Sequence, residues 1–139
     1  MSEIKVDTLT GKTTANDITV TVGATATMSL EQTLAKAWVN FNGIGTIAQR
    51  DSLNVTSLTD DGVGQHSYSF VNNFNNADYT HTAGAGSGSY STGTLITVRT
   101  YGVTPTTSTI GCNTFLGNTS TIASYDATYV ASTNHGDLA

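Results

Sequence analysis

The chain has 139 residues and a mass of 14.4 kDa, room for one modest core, and only 11 % of its residues are charged, against roughly 25 % in ordinary soluble domains. Ten acidic against five basic residues, with no Lys/Arg cluster, leave no electrostatic footprint for a phosphate backbone or an anionic membrane surface. Uncharged polar residues fill the gap, with 27 Thr, 13 Ser and 11 Asn, and the β-branched Thr favours extended backbone.

A net charge of −5 beside 29 Leu, Ile, Val and Phe argues against disorder. The opening Met1-Ser2-Glu3-Ile4-Lys5-Val6-Asp7 carries charges where a signal peptide needs an apolar run, and no apolar stretch approaches the ~20 residues of a spanning helix, so a soluble, untargeted chain is expected. The one cysteine, Cys112, can form no internal disulfide. Stability has to come from packing or from other chains.

In chain order, residues 3–10 alternate loosely through Ile4, Val6 and Thr8, and residues 18–22 alternate cleanly as Ile18, Val20 and Val22 against Thr19 and Thr21. Both are expected to be strands. The segments 13–17 and 23–27 consist mostly of Thr, Ala and Gly and read as linkers. Ser29 and Gln32 have capping-box spacing, and Leu30, Leu34 and Ala37 form a narrow stripe, which predicts a helix of about two turns, too short to be stable alone. From Trp38 the period changes to two, Val39 and Phe41 opposing Trp38, Asn40 and Asn42. Further strands are expected at 46–50, 53–58, 65–71, 78–83, 94–101, 108–115 and 121–132. Turn chemistry separates them at Asp60-Asp61-Gly62, 72–76, 84–93, 103–106 and Gly117-Asn118.

The expected fold is mainly β: N-terminal extended strands and one short helix over 1–37, leading to an antiparallel β-sandwich over 38–139. The first part has no core of its own. Its apolar residues Ile4, Val6, Ile18, Val20, Val22, Leu30 and Leu34 are therefore candidates for attachment and oligomerisation.

Ala37-Trp38-Val39-Asn40-Phe41-Asn42-Gly43, followed by the run from Arg50 through Asn54-Val55-Thr56-Ser57 to Asp61-Gly62-Val63-Gly64, resembles a domain of bacteriophage tail-fibre and virion appendage proteins of the marine and cyanobacterial phage type. Tyr68-Ser69-Phe70, Asn76-Ala77-Asp78-Tyr79, the opening Glu3 to Gly11, and Asp126 to Val130 with His135-Gly136-Asp137 match further elements of that pattern in order; residues 84–121 match none of it. The resemblance implies a structural protein at the surface of the phage particle and a homotrimer. It implies an N-terminus bound to other phage structural proteins, and a head that adheres to a host surface glycan or protein through its variable loops. It implies no enzyme and no cofactor. A capsid decoration or head fibre, or a glycan-cleaving accessory protein, is the alternative.

The glycine-rich 83–89 lacks the following helix that a phosphate loop requires and reads as a surface loop. Tyr90 is the aromatic candidate for receptor contact, with Tyr101, Ser87 and Ser89 beside it. His66, His81 and His135 show no ligand spacing, although His66 and His81 can fall on neighbouring strands. Glycan cleavage needs two facing carboxylates. Asp60 and Asp61 instead occupy a turn, where Asp bonds to a backbone amide two residues on, and Asp78, Asp126 and Asp137 are scattered. Cys112 reads as a buried small hydrophobe, and Trp38, Phe41, Tyr68, Phe70 and Tyr79 as core.

Overall fold

A computed structural model describes residues 4–12, 18–22, 24–87, 94–98, 103–117 and 121–139. The chain divides into two compact units, Met1–Leu34 and Ala35–Ala139. The fold is mainly β, and among the described residues every strand pair is antiparallel.

In the first unit, β1 (Thr19–Val22) pairs with β2 (Ala26–Ser29), and the four-residue helix α1 (Leu30–Thr33) follows. Three expectations change here. Residues 4–12 form no strand. The supposed linker after Gly23 supplies β2, because Ala26 and Met28 alternate with Thr27 and Ser29 and complete a hairpin with β1. The helix is one turn rather than two, since Ala37, the last residue of its apolar stripe, is taken into a strand opposite Asn134.

The second unit is a sandwich of two sheets. One has the order β4 (Ala48–Leu53), β3 (Ala37–Asn42), β11 (Tyr129–His135), β7 (Thr80–Gly86). In the other, β5 (Val55–Gly62) pairs with β6 (Gln65–Phe70) and β6 with β9 (Thr109–Gly117). The far half of β9 also pairs with β8 (Thr94–Val98) and β10 (Ile122–Ser124). The chain crosses between sheets at Asn54, whose φ of 58° makes the corner from β4 to β5. The opposite seam is tied by the Thr97 hydroxyl, which donates to the Ala83 carbonyl at 2.7 Å.

The alternation seen in the sequence sets the core. Val39 and Phe41 of β3, Val130 of β11, Tyr68 and Phe70 of β6, and Ile110 and Cys112 of β9 are buried between the sheets. One end is closed by aromatic rings: Phe74 stacks on Tyr79 at 4.2 Å, and both meet Phe70 edge-on. The same end holds the start of β3 and the C-terminus, where Ala139 donates its amide to Asn73. At the other end Phe41 meets His66 edge-on at 5.1 Å, and Gly43 donates its amide to Ala127.

Several boundaries differ from expectation. β5 runs through Asp60, Asp61 and Gly62, so the turn falls at Val63-Gly64. β7 continues through Gly86 into the expected loop. The strand expected over 121–132 is two, β10 and β11, because Asp126 between them turns its carboxylate to the Gly64 amide at 2.6 Å. Trp38 is not core: it alternates with Val39 on β3, is only half-buried, and faces away from the other sheet.

Candidate functional site

The attachment residues belong to a unit that encloses nothing: among its described residues, none is buried. Ile4 is 85 % exposed, Val6 55 %, Val20 37 % and Leu34 53 %, while Ile18 and Leu30 are half-buried. Met28, 45 % exposed, joins them, and sequence reading missed it. The signal was there, as period-two alternation in 26–29, but the small residues beside it resembled a linker. Val22 lies on β1 opposite Ala26.

The hydrogen-bond phase of the hairpin follows from one bond. Leu30 donates its amide to the Ile18 carbonyl at 2.8 Å, so the opposed pairs 18/30, 20/28 and 22/26 face inward. Thr19, Thr21, Thr27 and Ser29 therefore turn their N–H and C=O groups outward. Ile18, Val20, Ala26, Met28 and Leu30 share one side of the ribbon, and Thr19, Thr21, Thr27 and Ser29 the other.

Of the candidate contact residues, Ser87 follows β7 at the end of the sandwich away from the C-terminus, half-buried, its hydroxyl 3.4 Å from that of Tyr125. Ser89, Tyr90 and Tyr101 lie outside the described residues. At the Ser87 end, Ile44 (43 % exposed), Val63 (61 %), Ile122 (70 %) and Tyr129 (55 %) are exposed apolar residues. Arg50 is already engaged nearby: its guanidinium donates to the carbonyls of Phe41 at 2.6 Å and Thr128 at 2.7 Å, and lies 4.7 Å from the Tyr129 ring centre.

One chain of polar groups links the two sheets through the interior. The Asn134 amide donates to the Tyr68 hydroxyl at 2.9 Å, that hydroxyl is 2.6 Å from Ser132 Oγ, and His81 Nδ1 is 3.0 Å from Asn134 Oδ1. The amide group of Asn134 is spent on the Tyr68 hydroxyl, so its Oδ1 accepts and His81 carries the proton on Nδ1. Burial pushes the Tyr68 phenol well above its ordinary range, against the pull of its bonds to Asn134 and Ser132. Burial pushes the Cys112 thiol up to about 12, which keeps it protonated and unreactive.

His66 and His81 do not meet on neighbouring strands: β6 and β7 belong to different sheets. His66 is buried, and neither ring nitrogen has a partner among the described residues. Among the described residues no three His, Cys, Asp or Glu side chains gather as metal ligands. Asp60 accepts the Gly62 amide at 3.1 Å, the bond two residues on that its sequence position predicts, but at an irregularity within β5 rather than in a turn. No described helix is long and apolar enough to cross a membrane. No family model matches the chain, and neither a curated protein nor a solved structure matches it.

Proposed function

We propose that this chain is a structural subunit of a virion appendage, a tail fibre or similar projection. In this reading three copies assemble through the first unit, and the sandwich is displayed for adhesion to a host surface glycan or protein. The observation that carries the reading is the contrast between the two units: every buried residue among those described lies in 35–139, while the described residues before them bury nothing and expose Ile4, Val6, Leu9, Val20, Met28 and Leu34. An isolated two-stranded hairpin is marginal in water, and a segment of this kind becomes ordered when other chains cover it. The phage assignment rests on the sequence resemblance at Trp38–Phe41, Arg50–Gly64 and Asn76–Tyr79. Adhesion then works by multivalency, since three weak contacts on one particle raise the effective affinity without a strong single site. The runner-up location, a capsid head fibre, uses the same assembly.

The test pairs the mass of the full chain by light scattering with incubation on bacterial envelope glycans. A three-chain mass with binding and no release of sugar is expected. Sustained sugar release by the pure protein overturns the non-enzymatic reading.

A further inference from the structure

We infer that β1 and β2 are the contact between copies of this chain: the β1 edge of one hairpin pairs with the β2 edge of the next, and three hairpins close into a six-stranded antiparallel ring. The inference rests on the three-copy reading above and names the residues that make it.

Thr19 and Thr21 on β1, and Thr27 and Ser29 on β2, point their backbone donors and acceptors away from the hairpin. Natural proteins blunt such edges with charges, proline or bulges. From Ile18 to Leu30 there is no ionisable residue and no proline, and the β1–β2 register is continuous. A neutral edge of this kind suits an equally neutral partner strand, because a charged one would lose its hydration without gaining a counter-ion. The chain's own other edge fits. Thr faces Thr or Ser across the junction, a favourable cross-strand pair, and β1 and β2 run in opposite directions, so each new junction is antiparallel like the hairpin itself.

Area decides the number of copies. The apolar side of Ile18, Val20, Ala26, Met28 and Leu30 offers on the order of 300 Å² per copy, well below the ~800 Å² per partner of a stable two-body interface. Backbone pairing at both edges has to supply the rest, and only a closed ring uses both edges of every copy. Two hairpins give four strands, too few to close around side chains; three give six. Closure places the Ile18, Val20, Met28 and Leu30 side inward and the threonine side outward.

Thr21→Pro tests this in the full chain. It removes one outward N–H and none of the hairpin's own bonds, because Thr21 and Thr27 are a non-hydrogen-bonded pair. Thr21→Val, which keeps the N–H, is the control. The expected result is a three-chain mass for the wild type and Thr21→Val, a single-chain mass for Thr21→Pro with an unchanged β circular dichroism spectrum, and amides of Thr19, Thr21, Thr27 and Ser29 that exchange about 100-fold more slowly in the wild-type assembly than in the variant. An assembled Thr21→Pro, or fast exchange at those four amides in an assembled wild type, overturns the ring and leaves the three-copy reading standing. A two-chain wild type overturns the ring as well. A single-chain wild type overturns both.

Discussion

Replacing Tyr68 with Phe removes one oxygen from the centre of the sandwich and leaves the ring in place. That oxygen accepts from Asn134 at 2.9 Å and bonds Ser132 at 2.6 Å, and Asn134 is fully buried. The edge-on packing of Tyr68 on Phe70, at 5.8 Å, is retained, so the loss is polar. Two net hydrogen bonds are worth about 1 kcal/mol each, and stranding a buried amide hydrogen costs a further 1–2 kcal/mol, for a total of about 3–4 kcal/mol. The chain contains one tryptophan, Trp38 on β3, so its fluorescence reports the sandwich alone. In urea, at one protein concentration, the unfolding midpoint should fall by roughly 1.5–2 M with an unchanged slope. Ser132→Ala combined with Tyr68→Phe should cost less than the sum of the two single changes, because the double variant leaves fewer stranded groups. A loss below about 0.5 kcal/mol, or strict additivity, would refute the idea that this chain of polar groups ties the two sheets together.

Two glycines with nearly the same φ should respond differently. Gly64, at φ +66°, has no space for a methyl group: a Cβ there would lie 2.6 Å from the Tyr125 nitrogen and strike the Thr114 carbonyl. Gly45, at φ +68°, has nothing within 4 Å. Gly45→Ala should cost only the left-handed penalty of about 1–2 kcal/mol, and Gly64→Ala at least twice that, read as urea midpoints. Cys112 makes stability depend on alkaline pH. Its folded-state thiol, pushed up to about 12 by burial, keeps a proton that the unfolded thiol releases; stability is therefore constant below the unfolded value of roughly 8.5 and falls as pH rises above it, by up to ~1.4 kcal/mol per pH unit. Between pH 8.5 and 9.5 the wild type should lose about 1 kcal/mol, and Cys112→Ala should show a flat profile over that interval, which stays below the ordinary tyrosine value of about 10 where the buried Tyr68 phenol adds a loss of its own.

The parts of the fold that were legible in the sequence are those where one strand face is buried. Val39 and Phe41 against Asn40 and Asn42, and His66, Tyr68 and Phe70 on one face of β6, follow from alternation alone. Trp38 shows the limit of ranking by hydrophobicity: its phase on β3 already opposed Val39, and phase was the better guide. β2 was hidden because Ala26 and Thr27 carry too little apolar contrast to stand out from a linker. The break between β10 and β11 depends on Asp126 reaching Gly64, 62 residues earlier, and the chain from Tyr68 to Ser132, Asn134 and His81 joins residues more than 50 positions apart. Such contacts leave no local trace. For the site, the weakness of the N-terminal part was visible in its composition, but the outward edge of the hairpin needed the register and the Leu30 to Ile18 bond.

The division of labour between the two units is tested most directly by measuring the solution mass of the full chain beside residues 35–139 alone, each by sedimentation over a range of concentrations. The full chain should sediment as three copies of the 14.4 kDa polypeptide, and the shorter one as a single folded copy that keeps its β circular dichroism and its Trp38 environment. A full chain that stays single at every concentration, or a truncated one that still assembles, would contradict the account.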